Sequence, residues 1–223
     1  MSRPIRIGHR GAAGHAPENT LRAIETGIAM GADMIEVDVQ RSSDGHLLII
    51  HDDRVERTTN GTGAVAQMTL KELRSLDAGN GERLPTLDEV LTATSGRAGV
   101  MLELKVPGIA RDVAAAVRVR SFQGEVVFAS FFHAELLAVR EVLPDALTLA
   151  LIEAVPVKLT AFAEEARATH AGISRETATP DFVAALHDRN IRIFVYTVNA
   201  PADVHRIRGL GVDGLISDFP DRL

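Results

Sequence analysis

Short runs rich in Val, Ile and Leu recur along the chain, and between them apolar positions fall three and four apart, the spacing of one helix face. That alternation of strand and helix periods is the signature of βα units and a parallel sheet. It predicts eight strands, near 5–9, 33–39, 99–104, 125–130, 146–152, 170–174, 191–198 and 213–217. The first helix is expected over 20–28, with Asn19 as its N-cap and Gly31 as its exit. Pro180 and Pro201 each stand at an expected helix start, where the missing N–H would have had no helical partner.

Eight parallel strands alternating with helices can close into a (β/α)8 TIM barrel, which leaves no exposed edge. The rival is an open doubly wound sheet, but no Gly-x-Gly-x-x-Gly follows the first strand. At 223 residues the chain reads as a single domain over 1–223. The last outer helix is expected to be missing or replaced, because the sequence stops just after the eighth strand. One connection differs from the rest, between the second and third strands. It holds an extended piece at 45–52 after an Asp44-Gly45 turn, a polar stretch at 58–63, and a short helix near 69–76; Pro85 then opens a regular helix at 86–94. Long insertions of this kind are usually functional, so 51–85 is expected to form a small cap over the C-terminal mouth of the barrel.

Composition narrows the chemistry. A net charge of −6 argues against a nucleic-acid or anionic-membrane partner, since phosphate polymers are held by basic surfaces. The absence of cysteine excludes disulfides, thiolate nucleophiles and Cys-ligated zinc, so any metal must be held by oxygen or imidazole. Met1-Ser2-Arg3-Pro4 leads straight into the first strand with no apolar export segment, and no apolar stretch is long enough to span a membrane; a cytoplasmic location is the expectation.

Glu36-Val37-Asp38 is the strongest constellation, because alternate residues of a strand face one side and their carboxylates can share a cation. Glu103-Leu104-Lys105 ends the third strand with the same spacing, so three carboxylates converge where barrel enzymes keep their sites. Without cysteine, such a set favours one hard divalent ion, Mg2+ or Ca2+. The alternative is a buried structural network of these acids with Arg10 and Lys105. His9 ends the first strand and His51 ends the extended piece after the second. Imidazoles titrate near neutral pH, so the pair are candidates for base and acid on opposite sides of a phosphorus centre, with Arg10 and Lys105 holding its oxygens. A lone histidine at a strand end is commonly structural; two histidines, two cations and three carboxylates at strand ends are a different matter.

His9-Arg10-Gly11, Pro17-Glu18-Asn19-Thr20, Glu36-Val37-Asp38-Val39, His51-Asp52 with Arg57-Thr58-Thr59, and Glu103-Leu104-Lys105 together resemble the glycerophosphodiester phosphodiesterase family. Leu84-Pro85-Thr86-Leu87, Ser130-Phe131, Tyr196-Thr197-Val198-Asn199 and the run from 211 to 218 extend the likeness over nearly the whole chain. The resemblance implies a TIM barrel with a short insertion after the second strand. It also implies Glu36, Asp38 and Glu103 as metal ligands, His9 and His51 as the acid/base pair, and Arg10 and Lys105 as phosphate binders. The implied activity is hydrolysis of small glycerophosphodiesters to sn-glycerol 3-phosphate and an alcohol. Tyr196 departs from the tryptophan common in the family, which leaves the alcohol preference open.

Phe131 and Tyr196 are expected in the substrate pocket, and Phe132 and His133 are weaker candidates. Glu18 is expected to orient Arg10, while His15, His46, His170, His187 and His205 read as surface or structural residues. Two rivals to the main reading are a lysophospholipase D-like activity on a larger lipid and a non-catalytic barrel that captures phosphodiesters.

Overall fold

In the second strand, β2 (Met34–Arg41), Met34 joins the side chains packed inside the barrel, whereas Ile35, Val37 and Val39 join the layer between sheet and helices. Strand alternation then turns Glu36, Asp38 and Gln40 inward with Met34. Each fully buried Ile or Val on the outer face contributes roughly 1.5–3 kcal/mol, and that apolar face offsets the cost of the acidic inner one.

The computed structural model describes residues 3–223; Met1 and Ser2, part of the reading of the N-terminus as lacking an export segment, lie outside it. The chain runs β1 (Ile5–Gly8), α1 (Leu21–Ala29), β2, β3 (Leu47–Ile49), α2 (Leu70–Leu73), α3 (Leu87–Thr94), β4 (Gly99–Leu104), α4 (Ala110–Arg120) and β5 (Val126–Ser130). It continues through α5 (His133–Val142), β6 (Leu147–Ile152), α6 (Ala161–Glu165), β7 (His170–Ser174), α7 (Pro180–His187), β8 (Arg192–Tyr196), α8 (Pro201–Gly209) and β9 (Gly214–Ser217). The strands are hydrogen-bonded in the order β1-β9-β8-β7-β6-β5-β4-β2, and β1 closes the ring on β2. Every pairing in that ring is parallel, so the expected (β/α)8 TIM barrel is the fold. Ile7, Met34, Met101, Val127, Leu149, Phe194 and Ile216 fill its interior. After β9 the chain forms a 3-10 turn at Pro220–Arg222. No helix among the described residues is long and apolar enough to cross a membrane.

The extended piece expected at 45–52 is a ninth strand, β3, antiparallel to β2. Val39 pairs with Leu104 on one side and Ile49 on the other. Because β1 is short and pairs with β2 only at Met34 and Ile35, β3 takes the edge that β1 leaves free and carries the chain to His51. The insertion that follows packs with the end of β3 into a separate core of Leu48, Ile50, Val55, Val65, Leu73, Ala78 and Leu84. Capping boxes, Thr69 with Glu72 and Thr86 with Glu89, start α2 and α3.

Asn19 is not the N-cap of α1. Thr20 holds that position, its Oγ1 accepting from the N–H of Ala23. Asn19 sits one residue earlier in the left-handed region (φ 57°), with its side chain engaged elsewhere. Gly31 does leave the helix, at φ 80°, and Pro180 and Pro201 open α7 and α8.

Candidate active site

Register places the acids. Asp38 lies directly beside Glu103 across the β2–β4 pairing, and Glu36 lies two residues below Asp38 on the same face. One oxygen from each of Glu36, Asp38 and Glu103 lies within 4.8 Å of the others. Burial first, and then the negative Asp38, push the carboxyl groups of Glu36 and Glu103 upward. Glu36 Oε2 accepts the backbone N–H of Arg10 at 2.8 Å, but its Oε1 is buried with no hydrogen-bond partner among the described residues. A buried carboxylate oxygen without a donor is costly, and a cation among the three acids would relieve it. The donor set, all oxygen, suits a hard divalent ion.

The loop after β1 is shaped to make this contact. Arg10 takes φ 50° and Gly11 φ 90°, and a Cβ on Gly11 would lie 2.4 Å from the backbone of Ala23. The tight bend aims the Arg10 N–H at Glu36 and leaves the Arg10 side chain beside Asp38, Nε to Oδ2 3.3 Å. Lys105 approaches from β4, donating to Glu103 Oε1 at 2.7 Å with Nζ 3.6 Å from Asp38. Burial would lower the Lys105 ammonium, but the pull of Glu103 and Asp38 outweighs it and keeps the group charged. Glu18 accepts from Arg10 Nη1 at 2.7 Å, the contact expected of it.

His9 and His51 reach the same mouth, and each has one ring nitrogen fixed. His9 Nδ1–H donates to Asp218 at 2.6 Å, leaving Nε2 4.0 Å from Glu36. His51 Nδ1–H donates to Asp52 at 2.6 Å. An ionised carboxylate only accepts, so these bonds fix the tautomer and leave each Nε2 free for proton transfer. Burial would lower His9, but the Asp218 hydrogen bond and the charge of Glu36 raise it; burial dominates at His51, which is lowered. Asn199 clamps Asp218, donating to Oδ2 at 2.6 Å and accepting its backbone N–H at 2.9 Å. Gln40 Nε2 donates to the carbonyls of His51 and Asp52, which fixes the backbone on the other side.

Phe131 and Tyr196 line the same cavity as His9, Glu36 and Glu103, with Met101, Ala129, Leu151 and Ile216. Their rings meet edge to face at 6.2 Å, and the Tyr196 hydroxyl donates to the Ile152 carbonyl. His133 starts α5 and its Nε2 bonds the Leu151 carbonyl. Phe132 is exposed outside the cavity. His170 is a core residue: it packs on Phe194, and burial lowers its imidazole to about 4.

The supporting residues Asp218, Asn199, Gln40 and Asn19 are assigned no site role by sequence reading. Asn19 Nδ2 donates to Asp38 Oδ2 at 2.8 Å and its Oδ1 accepts the Asp38 N–H at 3.2 Å. Asn19→Ala removes both bonds and places a Cβ residue without polar compensation at positive φ. It is expected to cost about 2–3 kcal/mol in urea unfolding; a loss under about 0.5 kcal/mol would mean that Asn19 does not hold Asp38.

The sequence from 9 to 222 matches the family model described as the glycerophosphoryl diester phosphodiesterase family. A glycerophosphodiester phosphodiesterase of Caldanaerobacter subterraneus is 35% identical, over 97% of this chain and 95% of that protein. One from Bacillus subtilis is 34% identical, over 98% of this chain and 85% of that protein. Among solved structures, an Oleispira antarctica phosphodiesterase in complex with the product sn-glycerol-3-phosphate superposes with a TM-score of 0.92 at 29% identity, covering 99% of this chain and 95% of that one. A Thermotoga maritima glycerophosphodiester phosphodiesterase gives 0.82 at 28% identity, over 99% and 97%.

Proposed function

The chain belongs to the glycerophosphoryl diester phosphodiesterase family, and we propose that it hydrolyses small glycerophosphodiesters to sn-glycerol 3-phosphate and an alcohol, using His9 and His51 for proton transfer and one divalent cation held by Glu36, Asp38 and Glu103. The observation that carries this reading is the convergence of the three carboxylates beside two histidines whose Nδ1 atoms are already engaged. A bound cation supplies positive charge beside the phosphate oxygens. Arg10 and Lys105 border the same acids and offer their remaining donors to those oxygens, offsetting the charge that builds as phosphorus is attacked. One histidine removes through Nε2 the proton of the nucleophile, a water or the adjacent glycerol hydroxyl, and the other delivers a proton to the departing alcohol oxygen; where the glycerol hydroxyl attacks, a water then opens the cyclic phosphate to sn-glycerol 3-phosphate. Asp218 and Asp52 hold the rings in the required tautomers, and the apolar wall with Phe131 and Tyr196 shields the carbon skeleton of the substrate from water. A small-molecule substrate and a cytoplasmic location belong to the same reading.

The test is release of glycerol 3-phosphate from glycerophosphocholine and glycerophosphoethanolamine, with chelator and after restoring Mg2+ or Ca2+. Turnover is expected only with a cation present. Folded protein that releases none with either ion would overturn the substrate assignment.

A further inference from the structure

Arg57 belongs to the insertion, and the reaction outlined above gives it no part. Its guanidinium nevertheless serves two acids at the mouth at once. Nε and Nη2 donate to the two oxygens of Asp52 at 2.6 and 3.0 Å, and Nη1 and Nη2 donate to the two oxygens of Glu18 at 2.9 and 2.8 Å. Each acid passes the contact inward. Asp52 Oδ1 also accepts His51 Nδ1–H at 2.6 Å, and Glu18 Oε1 also accepts Arg10 Nη1 at 2.7 Å. We propose that Arg57 is a positioning residue that sets His51 and Arg10 together, so that the seating of the insertion governs both proton transfer and phosphate holding. The inference rests on the roles proposed above for those two residues.

Three features of the contact support it. Only arginine presents a planar fork with enough N–H groups to satisfy two carboxylates through four bonds; lysine is a point charge. The guanidinium is half-exposed, and an ion pair in that setting contributes little to stability, so four aligned bonds point to geometry as their use. Finally, the backbone carrying Arg57 is tied to the core of the insertion. Val55 is fully buried there, and its carbonyl accepts both the N–H and the hydroxyl of Thr59. A shift of that core therefore moves the guanidinium, and with it both acids.

The experiment compares Arg57→Met, Arg57→Lys, Glu18→Gln and Asp52→Asn in the full chain. The readouts are kcat and KM for glycerophosphocholine, glycerol 3-phosphate affinity by calorimetry, and the His51 Nδ1–H signal by proton NMR. Arg57→Met is expected to lower kcat about 30-fold and raise KM about 5-fold, as small misplacements of reacting groups do. Asp52→Asn should reproduce only the loss in kcat, and Glu18→Gln only the rise in KM. Adding Arg57→Met to either should change that same constant by less than about twofold, because the shared contact is already gone. Arg57→Lys keeps the charge without the fork and should stay within about threefold of Arg57→Met.

Wild-type constants in Arg57→Met, or losses that multiply in full on the Asp52→Asn and Glu18→Gln backgrounds, would overturn the proposal. If Arg57→Met does not fold, full activity in Arg57→Lys overturns it equally. If the wild type releases no glycerol 3-phosphate, it is the reading of the reaction that fails. Arg57 is then judged by the NMR signal alone, which must weaken in Arg57→Met; an unchanged signal defeats the proposal.

Discussion

A His51→Ala variant is expected to release glycerol 3-phosphate about 10³-fold more slowly than the wild type, and His9→Ala to match it within an order of magnitude, because general acid and base groups each contribute about 10²–10⁴. Neither ring is one of the three convergent carboxylates, so cation affinity should survive both changes. The fold should survive them too. His51 is part-exposed and belongs to none of the apolar clusters, and its neighbour Asp52 stays fixed by Arg57 and Gln40. At position 9 the backbone N–H still donates to the Ser217 carbonyl at 2.8 Å. The double variant should be little slower than either single one, since losing one proton transfer already stalls the reaction. A p-nitrophenyl phosphodiester then separates the roles. Its leaving group needs no proton, so it should rescue the variant that has lost the acid and leave the other slow. Full activity in His51→Ala on glycerophosphocholine would end the two-imidazole scheme.

What the sequence made legible follows the range of the interactions involved. Inward and outward positions on β2 are set by alternation, so Glu36 and Asp38 could be placed on one face without knowing the fold. Their meeting with Glu103 needs only neighbouring strands in register, and the βα pattern supplies the neighbours. Asn19 and Thr20 are different, because both have N-capping chemistry and local sequence cannot choose between them. The choice is made by Asp38, nineteen residues on, which takes the Asn19 side chain and leaves the cap to Thr20. The antiparallel direction of β3 was hidden for a related reason: it depends on how little of the β2 edge the four-residue β1 covers. Asp218 lay inside a stretch that carried the family resemblance, yet its contact with His9 spans 209 residues of sequence and exists only because β9 closes against β1. Arg57 likewise has meaning only once the insertion folds back over Glu18.

Glu36→Gln should separate stability from function. Glu36 Oε2 accepts the Arg10 N–H, and a glutamine carbonyl can do the same. Its partnerless Oε1 would become an amide nitrogen, and an acid whose ionisation its surroundings resist would become a neutral amide. Burial and Asp38 both disfavour the ionised form of Glu36, so in chelator the variant is expected to melt no lower than the wild type, and to be more stable by about 1 kcal/mol. With cation the order should reverse. At 100 times its dissociation constant, an ion bound only by the folded wild type adds about 2.7 kcal/mol. A variant with one fewer anionic ligand should bind about 10²-fold more weakly and gain only a small fraction of that. Activity should follow the cation-bound order, with Glu36→Gln nearly inactive wherever its site is empty. The measurement is a pair of melting curves for each protein, in chelator and in Mg2+ or Ca2+, beside a calorimetric titration of the ion. Equal ion affinity in the two proteins would remove Glu36 from the ligand set. A wild type whose melting neither ion raises would leave Glu36, Asp38 and Glu103 as the ion-pair network with Arg10 and Lys105 that the sequence also allowed.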